Sequence, residues 1–160
     1  VSNSITISVD ISRAQAGFKR APEVMARRID AKLSRGAEEV ARDGKRNAPK
    51  AFSNLVNSIR ADNIGPLHYR VSEGMNYGRA VEEGTRPHMP NSENLIPWVE
   101  RVLGVRGKEA RRKAFLIARA ISRRGTRAQA YMRPAADANR SRLFELANQG
   151  VDEGLREAFA

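Results

Sequence analysis

Apolar and polar residues alternate strictly in SITISVDIS, residues 4–12, with Ile5, Ile7, Val9 and Ile11 on one side and Ser and Asp on the other. A period of two is the pattern of a half-buried strand. From Pro22 the period lengthens, and Met25, Ile29, Leu33, Ala37 and Val40 recur three or four residues apart. That spacing predicts a long amphipathic helix. Pro22 suits its first turn, where the missing N–H costs nothing. Pro49 stops it, and Ala48 before the proline is biased toward extended backbone. Gly36 and Gly44 weaken this helix if it stands alone, so packing must hold it.

Residues 51–61 are ambiguous: Leu55 and Ile59 are four apart, but Ser53 and Asn54 read as a turn or cap. HYRVSEG, residues 68–74, reads as a strand, with Asn63–Gly65–Pro66 as the turn before it. Tyr77 to Glu83 predicts a short helix closed by Gly84. Leu95 to Leu103 predicts another, capped by Ser92 or Asn94 and ended by Gly104. A third covers about 108–123, with Ala110, Ala114, Ile117 and Ile121 inward and Arg112, Arg119 and Arg123 opposite. Pro134 opens a long final helix in which Leu143, Ala147, Val151, Leu155 and Phe159 repeat at fours, with Gly150 and Gly154 as weak points. Internal repeats and low-complexity tracts are not apparent. The order predicts an α+β fold, a small antiparallel sheet packed against a long N-terminal helix and further C-terminal helices.

Length changes the picture little, since 160 residues fit one domain with a real core. We expect a single domain over 1–160, with a basic helical insertion at about 93–127. The few aromatics at apolar helix positions, Tyr77, Trp98, Phe115 and Tyr131, are expected in the core. Cysteine is absent, which removes disulfides and thiolate metal sites. The chain opens on Val1, so an initiator Met is expected to precede it. With no apolar run of membrane-span or signal-peptide length, the expectation is a soluble protein made in the cytoplasm, with no membrane partner.

Charge changes it more. Residues 101–142 carry 13 Lys/Arg against 2 Asp/Glu, whereas residues 143–160 carry 1 against 4. The net charge of +11 therefore resides in one stretch, which attracts polyanions. From charge alone a solvated basic helix, or one matched to an acidic neighbour, remains an equal alternative.

Candidate chemistry is sparse. His68 and His88 are the only imidazoles, and Glu82 and Glu83 diverge by about 100° on a helix, so they do not make a ligand pair. Ser53, Ser58 and Thr85 lack a nucleophile elbow, and the glycines do not space as a phosphate loop. Arg106–Gly107–Lys108 opens a helix where backbone N–H groups could meet a phosphate, a weak signal. The residues predict a non-enzyme with no cofactor, no metal and no catalytic residue.

Four segments in order carry a resemblance: Asn47–Ala48–Pro49 followed by SNLVNSIR (53–60); YGRAVEEGTRPH (77–88); LIPWVERVLGV (95–105) with KAFLIARAISRRGT (113–126); and AYMRPA (130–135) before a long helix. Together they resemble the head–tail joining family of long-tailed bacteriophages, the neck and tail-completion proteins of HK ninety-seven type, over roughly residues 20–155. One departure is that the family's Thr-Gly-Xaa-Leu before Ser-Ile is here Ser53–Asn54–Leu55, without the glycine. Asn can replace it in a left-handed turn.

The resemblance implies a virion protein assembled in the bacterial host cytoplasm. It implies a ring, hexameric by usual tail symmetry or dodecameric on the head side, that completes the tail, joins it to the head and passes the genome. Implied partners are copies of itself, head-closure and tail-tube or terminator subunits, and double-stranded DNA in the lumen, bound without sequence preference. Subunit-interface candidates are Glu82, Glu83, Thr85, Arg86, His88 and Arg133, with Glu82 or Glu83 expected to pair with an arginine of a neighbour. The acidic C-terminal stretch and the basic 101–142 segment would supply unlike surfaces for such a ring. Lumen or partner-ring candidates are Arg106, Lys108, Arg111, Arg112, Lys113, Arg119, Arg123, Arg124 and Arg127. The alternative is a free-standing basic protein whose Arg-rich helix contacts nucleic-acid phosphates, although no helix-turn-helix, zinc or RNA-recognition signature accompanies it. A third reading is an enzyme such as a nuclease.

Overall fold

The structure is a computed structural model, and it describes residues 9–51 and 53–160. The elements are α1 (Ser12–Asn47), α2 (Ser53–Ser58), β1 (Arg60–Gly65), β2 (His68–Ser72), α3 (Gly78–Glu83), a 3-10 turn (Ser92–Leu95), α4 (Ile96–Leu103), α5 (Gly107–Arg124) and α6 (Met132–Phe159). The fold is α+β, a long N-terminal helix, a two-stranded antiparallel sheet and C-terminal helices. The chain divides into two compact units.

The first unit holds residues through Ala37, Asn63–Arg70 and Arg140–Ala160. Here α1 and the end of α6 meet along a seam of small residues. A Cβ on Gly150 would lie 2.8 Å from the Ile29 Cα, and one on Gly154 would lie 2.7 Å from the Met25 Cα. The two glycines are therefore sites of backbone approach, and they correct the expectation that they weaken α6. The seam also explains why α1 begins at Ser12, ten residues before Pro22, which lies inside the helix. Gly17 packs against Phe159, the Phe18 and Phe159 rings meet edge to face at 5.0 Å, and Arg13 and Arg20 donate to the Ala160 and Ala158 carbonyls. These contacts hold the first helical turns despite the hydrogen bond that proline removes.

The expected strand over 4–12 lies mostly outside the described residues. Val9 to Ile11 are not in a strand, and the Asp10 carboxylate accepts the Ser12 N–H at 2.9 Å to open α1. The acidic end of α6 is engaged in the same unit. Glu157 pairs with Arg27 and Arg28, and Glu153 with Lys32 at 2.6 Å.

The hairpin holds a second correction. Of the predicted turn Asn63–Gly65–Pro66 only Pro66 lies in the reversal, which falls at Pro66–Leu67 with Leu67 at φ 55°, while Asn63 and Gly65 belong to strand β1. Its tip is tied to α1 by Asp30, whose carboxylate accepts the Tyr69 hydroxyl at 2.9 Å and the Leu67 N–H at 3.2 Å. Asn63 donates to the same hydroxyl and accepts the Gly65 N–H. A polar strand such as RADNIG thus keeps its place through side-chain bonds that carry no hydropathy signal.

The second unit spans Glu38–Asp62 and Val71–Asn139. Ala41, Ala48, Leu55, Ile59 and Tyr131 form its principal core, with Val56, Val71, Met75, Val81 and Met132 packed on it. Asn54 lies within the helical turn α2, so the left-handed turn expected there is not used. A separate cluster of Val99, Ala110 and Ala114, with Leu95, Ile96, Val105 and Ile117, holds α4 and α5 together. Among the described residues no helix is long and apolar enough to cross a membrane.

The seam predicts a sign. On a solvated helix Gly→Ala stabilises by up to about 1 kcal/mol, but here the added methyl meets the backbone of α1. Gly154→Ala and Gly150→Ala should each lower stability by about 1–3 kcal/mol, read from urea denaturation midpoints; an unchanged or raised midpoint would contradict the close approach.

Candidate functional site

The segment that opened as a Gly–Thr corner is one half of a pair. Helix α3 ends at Gly84 (φ 74°), and α5 ends at Gly125 (φ 71°), each followed by a threonine. Thr85 and Thr126 face each other as an isolated antiparallel bridge. The Thr85 N–H donates to the Thr126 carbonyl at 3.1 Å, and the Thr126 N–H returns the bond at 3.2 Å. The Thr126 N–H also reaches the Thr85 Oγ1 at 3.0 Å, and the two hydroxyls lie 3.0 Å apart. A Cβ on Gly125 would sit 1.9 Å from the Thr85 carbonyl oxygen, and one on Gly84 would sit 2.5 Å from that of Thr126. Only glycine fits at either corner. The segment 86–124 of this unit thus runs between two ends joined by one clasp.

The re-entering strand is fixed twice more against α3. The Gln129 N–H donates to the Val81 carbonyl at 2.8 Å. The Glu82 carboxylate then accepts the N–H groups of Tyr131, Met132 and Arg133 at 2.7, 2.9 and 3.0 Å. It caps α6 from a distant helix, meeting donors that have no partner within their own helix. Burial on its own would push the Glu82 carboxyl up, but the three backbone N–H groups, aided by the Arg133 charge, outweigh it and hold the group below its usual range.

The adjacent Tyr131 is buried, and its phenol is pushed up to about 12, first by burial and then by Glu73, Glu82 and Tyr77. Its hydroxyl has no hydrogen-bond partner among the described residues. Glu83 pairs with Arg79 one turn back at 2.9 Å. Both acids are thus engaged within their own chain, and the partner of Glu82 is a helix start instead of an arginine.

The other interface candidates lie close by but are not gathered into one site. Arg86 and His88 are exposed on the outgoing strand, where the imidazole Nδ1 lies 2.9 Å from the Arg86 carbonyl. Arg133 is exposed at the head of α6. Among the described residues no three His, Asp or Glu side chains are close enough to hold a metal.

The excursion between the clasped ends is helical. Asn91 caps the 3-10 turn by accepting the Glu93 N–H at 2.9 Å, and α4 follows from Leu95 without a side-chain cap, so neither expected cap, Ser92 or Asn94, serves it. Gly104 ends α4 in the left-handed conformation (φ 67°). In α5 the buried positions are Ala110, Ala114 and Ala118.

The large side chains go the other way. Phe115 and Leu116 of α5, and Trp98, Val102 and Leu103 of α4, are exposed. Of the four aromatics expected in the core only Tyr131 is there; Tyr77, Trp98 and Phe115 are at the surface. Apolar spacing located the helices correctly, but within α5 the alanines are small enough for close contact with α4 and took the inner face.

Arg106, Lys108, Arg111, Arg112, Arg119, Arg123, Arg124 and Arg127 are all exposed, and Lys113 is half-buried beside Glu109 at 3.1 Å. Family models, curated proteins and solved structures give no match to the chain. Sequence reading missed Thr126, Asp30 and the intrachain partner of Glu82. The repeat of Gly-Thr-Arg at 84–86 and 125–127 was the visible sign of the first.

The cap makes stability depend on pH. A carboxyl held below its unfolded value stabilises the fold at neutral pH, and that contribution disappears as pH falls through the folded value. Glu82→Gln should therefore cost about 2 kcal/mol at pH 7. The gap between it and wild type should begin to narrow below about pH 4 and go on shrinking as pH falls through the folded value; urea denaturation over that range checks this, and a gap independent of pH would contradict it.

Proposed function

We propose that this chain is a structural subunit of a tailed bacteriophage virion, assembling as a ring at the neck or tail end to join tail to head and let the genome pass. The observation that carries the reading is the inversion within the excursion, which buries alanines and exposes Trp98, Val102, Leu103, Phe115 and Leu116. These five leave on the order of 400 Å² of large side chain in water. A chain that works alone gains by the opposite arrangement. One that works in contact with copies of itself holds these groups ready to be covered.

The motifs behind the resemblance support the reading in a second way. YGRAVEEGTRPH, the Arg-Arg-Gly-Thr end of α5 and AYMRPA meet in one corner, through Thr85, Thr126, Glu82 and the head of α6. The three sequences are therefore parts of one device, which gives their joint occurrence a physical reason. The work assigned to that device is mechanical: it carries a helical projection, and neighbouring subunits or an adjoining ring grip the projection. A hexamer is the assembly that the resemblance favours. The exposed cations of α5 favour a second reading, a free-standing protein that binds nucleic-acid phosphates.

Light scattering tests the choice. The expected result is a particle several times the 17.7 kDa chain mass, near sixfold, or one that forms on mixing with neck or tail components. Phe115→Ser combined with Leu116→Ser should abolish it without loss of helical circular dichroism. A chain that stays monomeric at all concentrations and with all virion components, in a virus whose heads and tails join without it, would overturn the proposal.

A further inference from the structure

Helix α5 has two unlike faces. At about 100° per residue, Ala110, Ala114 and Ala118 point one way, while Lys108, Arg112, Arg119 and Arg123 lie within about 60° of one another on the far side. The alanines are buried and the four cations are exposed, as this geometry requires. Over fifteen residues the cations run roughly 22 Å along the axis. No carboxylate interrupts this stripe. The only acid of α5, Glu109, lies to one side and is bound by Lys113. None of the four cations forms an ion pair with an acidic side chain among the described residues. Phe115 and Leu116 border the stripe on its two sides, and an open depression of about 480 Å³ beside it is lined by Leu116, Arg119, Ala120, Arg123 and Arg124.

We infer that this stripe is a contact surface for the phosphate backbone of double-stranded DNA, bound without regard to sequence. The inference deepens the reading above and rests on it for the identity of the DNA as the virion's own genome. Charge matching favours DNA over a second copy. Two acids of the C-terminal stretch, Glu153 and Glu157, are held by Lys32, Arg27 and Arg28 of their own chain, and the exposed acids Glu23, Glu38, Glu93 and Asp152 are scattered along the sequence, whereas a duplex presents its charges in an unbroken row. A duplex offers one phosphate per ~1.7 Å of axis, so a 22 Å stripe meets more anions than it has cations. Arginine and lysine on flexible stems follow such a backbone without base contacts, and the affinity comes from counterion release. Four contacts give a salt dependence strong enough to measure, yet leave the DNA free to slide.

The test is fluorescence anisotropy of a labelled 30-base-pair duplex of random sequence, titrated with full-length protein over a range of salt. Wild type should give a slope in log K against log salt of at least about −3, near −0.9 for each phosphate neutralised. Lys108→Gln, Arg112→Gln, Arg119→Gln and Arg123→Gln together should flatten the slope by about 3 and weaken binding tenfold or more. A control removes equal charge elsewhere, through Lys19→Gln, Arg42→Gln, Lys45→Gln and Lys50→Gln, and should keep the wild-type slope.

Equal loss in both variants would mean that total charge alone is at work, and would overturn the inference. So would wild type that ignores the duplex, or that prefers polyglutamate to it at equal charge, the last marking a protein-docking face. Light scattering of both variants without DNA reads assembly separately. Failure of the ring is thereby distinguished from failure of phosphate binding.

Discussion

The structure depends on how the chain returns to α3 after residue 124. Three contacts receive it in succession: the Thr126 backbone on Thr85, the Gln129 N–H on Val81, and the head of α6 on Glu82. Remove that return and α4 and α5 lose their anchorage, while α6 loses the acceptor for its first N–H groups. Two glycines make the approach possible, since at 1.9 and 2.5 Å neither corner has room for a methyl group. The constraint is steric at the glycines and electrostatic at Glu82, and the segments it joins lie more than forty residues apart.

A second theme is where bulk is placed. Along α1 and α6 the contacts are made by Gly17, Gly150, Gly154 and Ala158, so the backbones approach closely. In α5 the inner face is alanine. Small residues on the inside leave large ones outside, among them Phe18, Phe115 and Phe144, each more than half exposed. The charges follow a parallel logic. Glu153 and Glu157 near the C-terminus neutralise cations of α1 within the chain, and the excess on α5 has no internal counterpart among the described residues. Apolar groups without cover and cations without counterions both point outward among the described residues.

Helices were legible because their signals are local. Period, proline and glycine located α3, α4, α5 and α6 within a few residues. Strand β1 was hidden because RADNIG has neither alternation nor β-branched density; Asn63, Tyr69 and Asp30 hold it, and a side-chain bond spanning 39 residues leaves no periodic trace. The start of α1 was misplaced because Pro22 is a strong local signal that the Phe18–Phe159 contact overrides. Glu82 drew attention as a carboxylate at the unfavourable end of a short helix, and within the chain it meets the backbone N–H groups of Tyr131, Met132 and Arg133. The N–H groups of a helix start attract a carboxylate as an arginine does, and only the folded path brings them near.

The most direct measurement is residue-resolved hydrogen exchange of the amides of Thr85, Thr126, Gln129, Tyr131 and Met132. If the paired corners and the Glu82 cap act as one unit, these five exchange together with high protection, and Glu82→Gln releases all of them by a similar factor. Rapid exchange at Thr85 and Thr126 while Tyr131 and Met132 stay protected would mean that the two corners open independently of the Glu82 cap, contradicting the claim that they act as one unit.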